Sequence, residues 1–182
     1  MASWTERKQE LLDEAQKIDS SIRLYTKDNF FCRAMAWILH ILSFGKMSAS
    51  TYQTNYATTL GNFMFYPANW DYETVTWVLP HEAQHVKQFR WFSCFIHPLL
   101  GLPVAALVYL MFPLPAWFSW GRFWMEYNAD TVLFKHLASI GEKNMLVDYA
   151  PQRIAALSGP EYLWAVSFNY AKKRYDKLLA SL

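Results

Sequence analysis

The chain has 182 residues, 53% of them apolar and 18% aromatic, and only 18% charged where roughly 25% is usual, with a formal net charge of +2. That length fits one domain with a core of its own. The basic residues are scattered apart from Lys172, Lys173 and Arg174, which leaves no footprint for nucleic acid. Cys32 and Cys94 form no C-x-x-C pair, which excludes a dithiol redox motif and a thiolate metal site; they read as buried free thiols.

The first residues, MASWTERKQELLDEAQK, alternate charges and lack an apolar stretch, so they do not read as a cleavable leader. Ser3 and Glu6 instead form a capping box, and Trp4, Leu11, Leu12, Ala15 and Ile18 recur at helical spacing, predicting an amphipathic helix through Ile18. Asp28 caps a second helix from Asn29 to about Ser43. With Phe30, Phe31, Met35, Ile38, Leu39 and Leu42 it is apolar on most sides, hence buried or membrane-facing, and Gly45 stops it. Residues 46–55 are small and polar and read as a loop. Tyr56, Thr58 and Thr59, then Phe63, Phe65 and Tyr66, are strand formers on either side of Gly61-Asn62, which predicts a β-hairpin ended by Pro67.

Residues 92–120 form an apolar run without a formal charge, long enough for a bilayer span of about 20 residues. Pro98, Pro103, Pro113 and Pro115 divide it, so a hydrophobic helical hairpin is expected, either buried, at an oligomer interface, or in contact with a membrane. Its second arm continues as a helix from Ala116 to Gly141, and a last helix runs from Glu161 to about Leu179. The fold class is α+β, mainly helical, with a hairpin or small sheet beside the central helix.

The central helix carries the chemistry. VLPHEAQHVKQFRW holds His81, Glu82 and His85 as an H-E-x-x-H. Four residues of helix advance about 400°, which puts both imidazoles on one face, while Glu82 is offset by about 100° and flanks a metal instead of ligating it, the position of a general base. A zinc hydrolase also needs a third protein ligand and an open position for water. Glu126, in FWMEYNADTVLF, is the candidate; Asp130, one turn on, can accept the second N–H of a ligand imidazole and fix its tautomer. Pro80 requires the helix either to begin at about that residue or to bend there. His40, His97 and His136 have no partner at ligand spacing and read as structural, and Arg122 is placed for an i,i+4 ion pair with Glu126.

HEAQH followed by EYNAD resembles the HExxH plus ExxxD pattern of the gluzincin metallopeptidases. ExxAD is the form seen in membrane proteases of the HtpX and CAAX-prenyl-processing type. The extended string HExxHxxQ (His81, Glu82, His85, Gln88) behind a Gly-containing hairpin is also similar to minimal bacterial and phage gluzincins. The resemblance covers about residues 56–136. It implies zinc bound by His81, His85 and Glu126, Glu82 as base, Asp130 behind a ligand, and an electrophile to stabilise the oxyanion, for which Tyr149, Tyr162, Arg122 and His136 are unranked candidates.

The chain is thus expected to be a single minimal zincin-like domain (residues 1–182): N-terminal helices over 1–45, a catalytic core over 56–136, the apolar hairpin at 92–120 and a C-terminal helix over 160–180. The expected function is hydrolysis of peptide or protein substrates, whose backbone pairs with the free edge of the 56–66 strands. The competing reading is a non-catalytic metal-binding scaffold or assembly protein that presents the 92–120 surface to partner subunits or a membrane. A cytoplasmic or membrane-associated location, or a phage or assembly component, fits either.

Overall fold

The computed structural model describes residues 3–95 and 119–182. The fold is α+β and mainly helical, with one small mixed sheet. The chain divides into two compact units, Met1–Pro103 and Val104–Leu182.

In the first unit α1 (Lys8–Ile18) is followed by β1 (Arg23–Thr26), α2 (Phe30–Leu42), α3 (Ala49–Asn55), β2 (Thr58–Leu60), β3 (Phe63–Tyr66) and α4 (Tyr72–Phe95). The predicted capping box does not form: the Ser3 hydroxyl pairs with that of Thr5, Ser3 bridges to Asp71, and α1 begins only after Arg7. The second helix is capped by Asn29, one residue later than expected. Its side-chain oxygen accepts from Cys32 N at 2.9 Å while its amide donates to Thr26 O, and Asp28 pairs with Arg33 instead. Cys32 is buried and free.

Residues 49–55, expected as loop, form a helix because the Ser48 hydroxyl accepts from Thr51 N. The buried Lys27 ammonium donates to the carbonyls of Tyr52 and Tyr56 at the end of that helix.

The predicted hairpin is present. β2 and β3 are antiparallel with Leu60 opposite Phe63, and Gly61 turns at φ +61°. β1 adds to the other side of β3 in parallel, Leu24 opposite Met64, giving the order β1-β3-β2. Leu24, Met64 and Tyr66 point from the sheet into a core with Trp4, Leu11, Ala15, Ile22 and the α4 residues Val75, Leu79, Ala83 and Val86.

α4 starts well before Pro80: the Asp71 carboxylate accepts from Thr74 N at 2.7 Å, and the helix runs through the proline. Pro80 lacks only its own N–H, and the 24-residue helix is anchored on both sides of it.

The second unit holds α5 (Trp120–Ser139), α6 (Lys143–Leu157), a 3₁₀ turn (Pro160–Tyr162) and α7 (Phe168–Leu179). Ser119 caps α5. The last helix begins at a Ser167 cap, not at Glu161, because Leu163 and Trp164 both adopt positive φ and break the chain direction. Most of the 92–120 run, residues 96–118, lies outside the described residues. Among those described, no helix is long and apolar enough to cross a membrane.

Candidate metal centre

α4 is buried on two faces. At about 100° per residue, Val75, Leu79, Ala83 and Val86 share the core face, whereas His81, His85 and Gln88 share another about half a turn away. All three of these polar residues are buried, as is Glu82 between the two faces.

His81 Nε2 and His85 Nε2 are 3.2 Å apart, with their rings nearly perpendicular at 80°. Two nitrogens bonded at about 2.0–2.1 Å to a tetrahedral zinc would lie about 3.3 Å apart, so the pair has the spacing of two ligands of one ion. His85 Nδ1 is 2.8 Å from Gln88 Oε1, an acceptor, which puts the ring proton on Nδ1 and keeps the Nε2 lone pair for a metal. Gln88 is thus the acceptor behind His85.

The Glu82 carboxylate accepts a 2.5 Å hydrogen bond from the hydroxyl of Thr59 on β2. The hairpin thus fixes the rotamer of the predicted base. Thr59 carried no signal in the sequence beyond its place in a strand.

In the second unit, Glu126 and Asp130 lie on the buried stripe of α5 with Arg122, Ala129, Leu133 and Leu137. Arg153 of α6 spans both acids: Nη2 is 2.9 Å from Glu126 Oε2 and Nε is 2.8 Å from Asp130 Oδ2. Its Nη1 donates to the Tyr162 hydroxyl at 3.0 Å, and the Tyr175 hydroxyl donates to Asp130. Burial works against the Arg153 charge, but the adjacent Asp130 overrides it and holds the guanidinium well above its ordinary pKa. Burial also pushes the Tyr162 and Tyr175 phenols well above theirs, so both remain O–H donors.

His81 and His85 in the first unit and Glu126 in the second are buried groups that could hold a metal ion. Among the four oxyanion candidates, Tyr162 belongs to the Arg153 cluster. Arg122 is buried and donates to Tyr162 O at 2.6 Å, Tyr149 packs its ring on Phe134, and His136 is exposed. Arg153 is the residue that sequence reasoning missed; only its helical phase with Leu146, Ala150 and Leu157, which marks it as inward-facing, could have found it. No family model matches the chain, and no curated protein and no solved structure matches it either.

Proposed function

We propose that the protein is a zinc-dependent peptidase in which His81, His85 and Glu126 hold the metal and Glu82 is the general base. The observation that carries this reading is the pairing of the two Nε2 atoms at 3.2 Å with a buried carboxylate, Glu82, held one residue along the same helix. Zinc, when bound, supplies Lewis acidity toward a carbonyl and toward a water molecule. Glu82 takes a proton from the attacking water and delivers it to the leaving amine nitrogen. Thr59 holds Oε2 of that carboxylate, which leaves Oε1 to carry the proton. Gln88 keeps the His85 tautomer competent, and Arg153 orients Glu126 through Oε2. Tyr162, a phenol kept protonated, is the favoured donor to the developing oxyanion. Because β3 is the central strand, the edge offered to an extended peptide is β2, which carries Thr59.

The scaffold reading draws on one observation as well: Arg153 clamps Glu126 and Asp130 as a structural ion cluster would. Glu82→Gln separates the two, since it keeps shape and hydrogen-bonding capacity but removes the base. On the peptidase reading, cleavage of an unstructured protein substrate such as casein falls by about 100-fold or more with metal content unchanged. Equal cleavage by both proteins rejects the mechanism.

A further inference from the structure

Helix α2 presents its larger apolar residues to solvent. Its inward side is Cys32 and Ala36, packed with Met47 and Tyr52, whereas Phe30 is 86% and Trp37 65% exposed, with Ile38 and Ile41 beside them. At about 100° per residue Phe30, Trp37 and Ile41 fall within about 40° of one another, a single stripe. Phe44, 72% exposed, follows the helix end at φ +55°, a backbone conformation that a bulky residue adopts only under constraint. The apolar surface continues off the helix: the rings of Phe31 and Phe65, Phe65 and Tyr25, and Tyr25 and Phe63 are each 5.8 Å apart. Tyr25 and Phe63 lie on the exposed face of the sheet, opposite the core face.

The charges on α2, its end and the sheet are mostly of one sign. Between residues 20 and 70 Asp28 is the lone acid, and it is paired with Arg33 at 2.6 Å. Against it stand Arg33 and Lys46 along α2 and its end, Arg23 on the exposed sheet face, and Lys8, whose ammonium lies 5.6 Å from the Tyr25 ring. A second copy docked on the same patch would bring these cations together, whereas an anionic surface complements them.

We infer that this face of the protein rests on an anionic lipid bilayer, with α2 lying in the plane of the headgroups. Thirteen residues at about 1.5 Å each give about 20 Å, too short to cross a hydrocarbon core of about 30 Å, so the helix lies on the membrane instead of spanning it. Exposed Trp and Phe with flanking Arg and Lys are the residue types that such a position favours. The inference is independent of the peptidase reading.

Flotation of the full chain with vesicles tests it, using phosphatidylcholine alone and equal parts of phosphatidylcholine and phosphatidylglycerol. The chain is expected to float with the mixed vesicles and to bind phosphatidylcholine at least about tenfold more weakly, with the difference closing in high salt. Trp37→Ser with Ile41→Ser, both at exposed positions, should lower binding by about tenfold or more with the far-ultraviolet circular dichroism unchanged. Arg33→Gln with Lys46→Gln, which keeps every apolar residue, should weaken binding to the mixed vesicles alone and serves if the first variant misfolds. Absence of flotation, or equal binding to both compositions, overturns the proposal. So does undiminished binding by the Trp37 and Ile41 variant, which would move the contact elsewhere in the chain. A solution dimer that this variant dissolves and that ignores vesicles would assign the face to a second copy instead.

Discussion

Gln88 and Thr59 each make one hydrogen bond that decides how a neighbouring residue can act. The Gln88 amide oxygen fixes the proton of His85 on Nδ1, so the nitrogen turned toward His81 is the one with a lone pair. Gln88→Leu keeps the bulk and deletes that acceptor; zinc affinity, measured by competition with a chromophoric chelator, should fall about 10- to 100-fold. An unchanged affinity would mean that the ring is oriented by packing alone. Lys27 shows the opposite balance. Burial lowers its pKa from 10.5 to about 8, although nearby Cys32 and Glu82 favour the charged form. Between about pH 8 and 10.5 the unfolded chain therefore holds a proton that the folded chain has released, and raising the pH stabilises the fold. At about 1.4 kcal/mol for each pH unit the full window is worth about 3 kcal/mol. Denaturant unfolding should show wild type gaining on Lys27→Met from about pH 8 to about 10, the gain levelling off near the unfolded lysine's pKa of 10.5. A flat difference would contradict this.

The hairpin is the element on which the orientation of Glu82 depends, since β2 carries Thr59 and the two-residue turn sets which strand residue faces α4. Gly61→Ala tests it: nothing lies within 4 Å of the added methyl, so the cost is that of φ +61° for an L-residue, about 1–2 kcal/mol in denaturant unfolding. A change near zero would mean that the turn relaxes without strain. The elements that could be read from the sequence are those whose signals are local. The hairpin follows from Gly61-Asn62 between strand formers, and α4 and α5 from long apolar periodicity. β1 was invisible because its four residues are a strand only by pairing with β3, about 40 residues on. α3 was missed because a Ser48 cap, not an apolar stripe, starts it. α6 has its period in Leu146, Ala150, Ile154 and Leu157, but Pro151 interrupts the pattern. In the candidate centre, the shared helix face of His81 and His85 was legible from their spacing. Arg153 was not, because a guanidinium 27 residues from Glu126 gives no sign in sequence of which acid it will meet.

At the scale of the whole molecule the low charged fraction and the exposed aromatic face of α2 are two aspects of one composition. The central claim, however, is the zinc centre, and metal stoichiometry tests it most directly. Protein purified without chelator should carry about one equivalent of zinc by elemental mass spectrometry, and His81→Ala and Glu126→Ala should each carry far less under the same conditions. Less than about half an equivalent in the wild type, unchanged by either substitution, would contradict a site built from His81, His85 and Glu126.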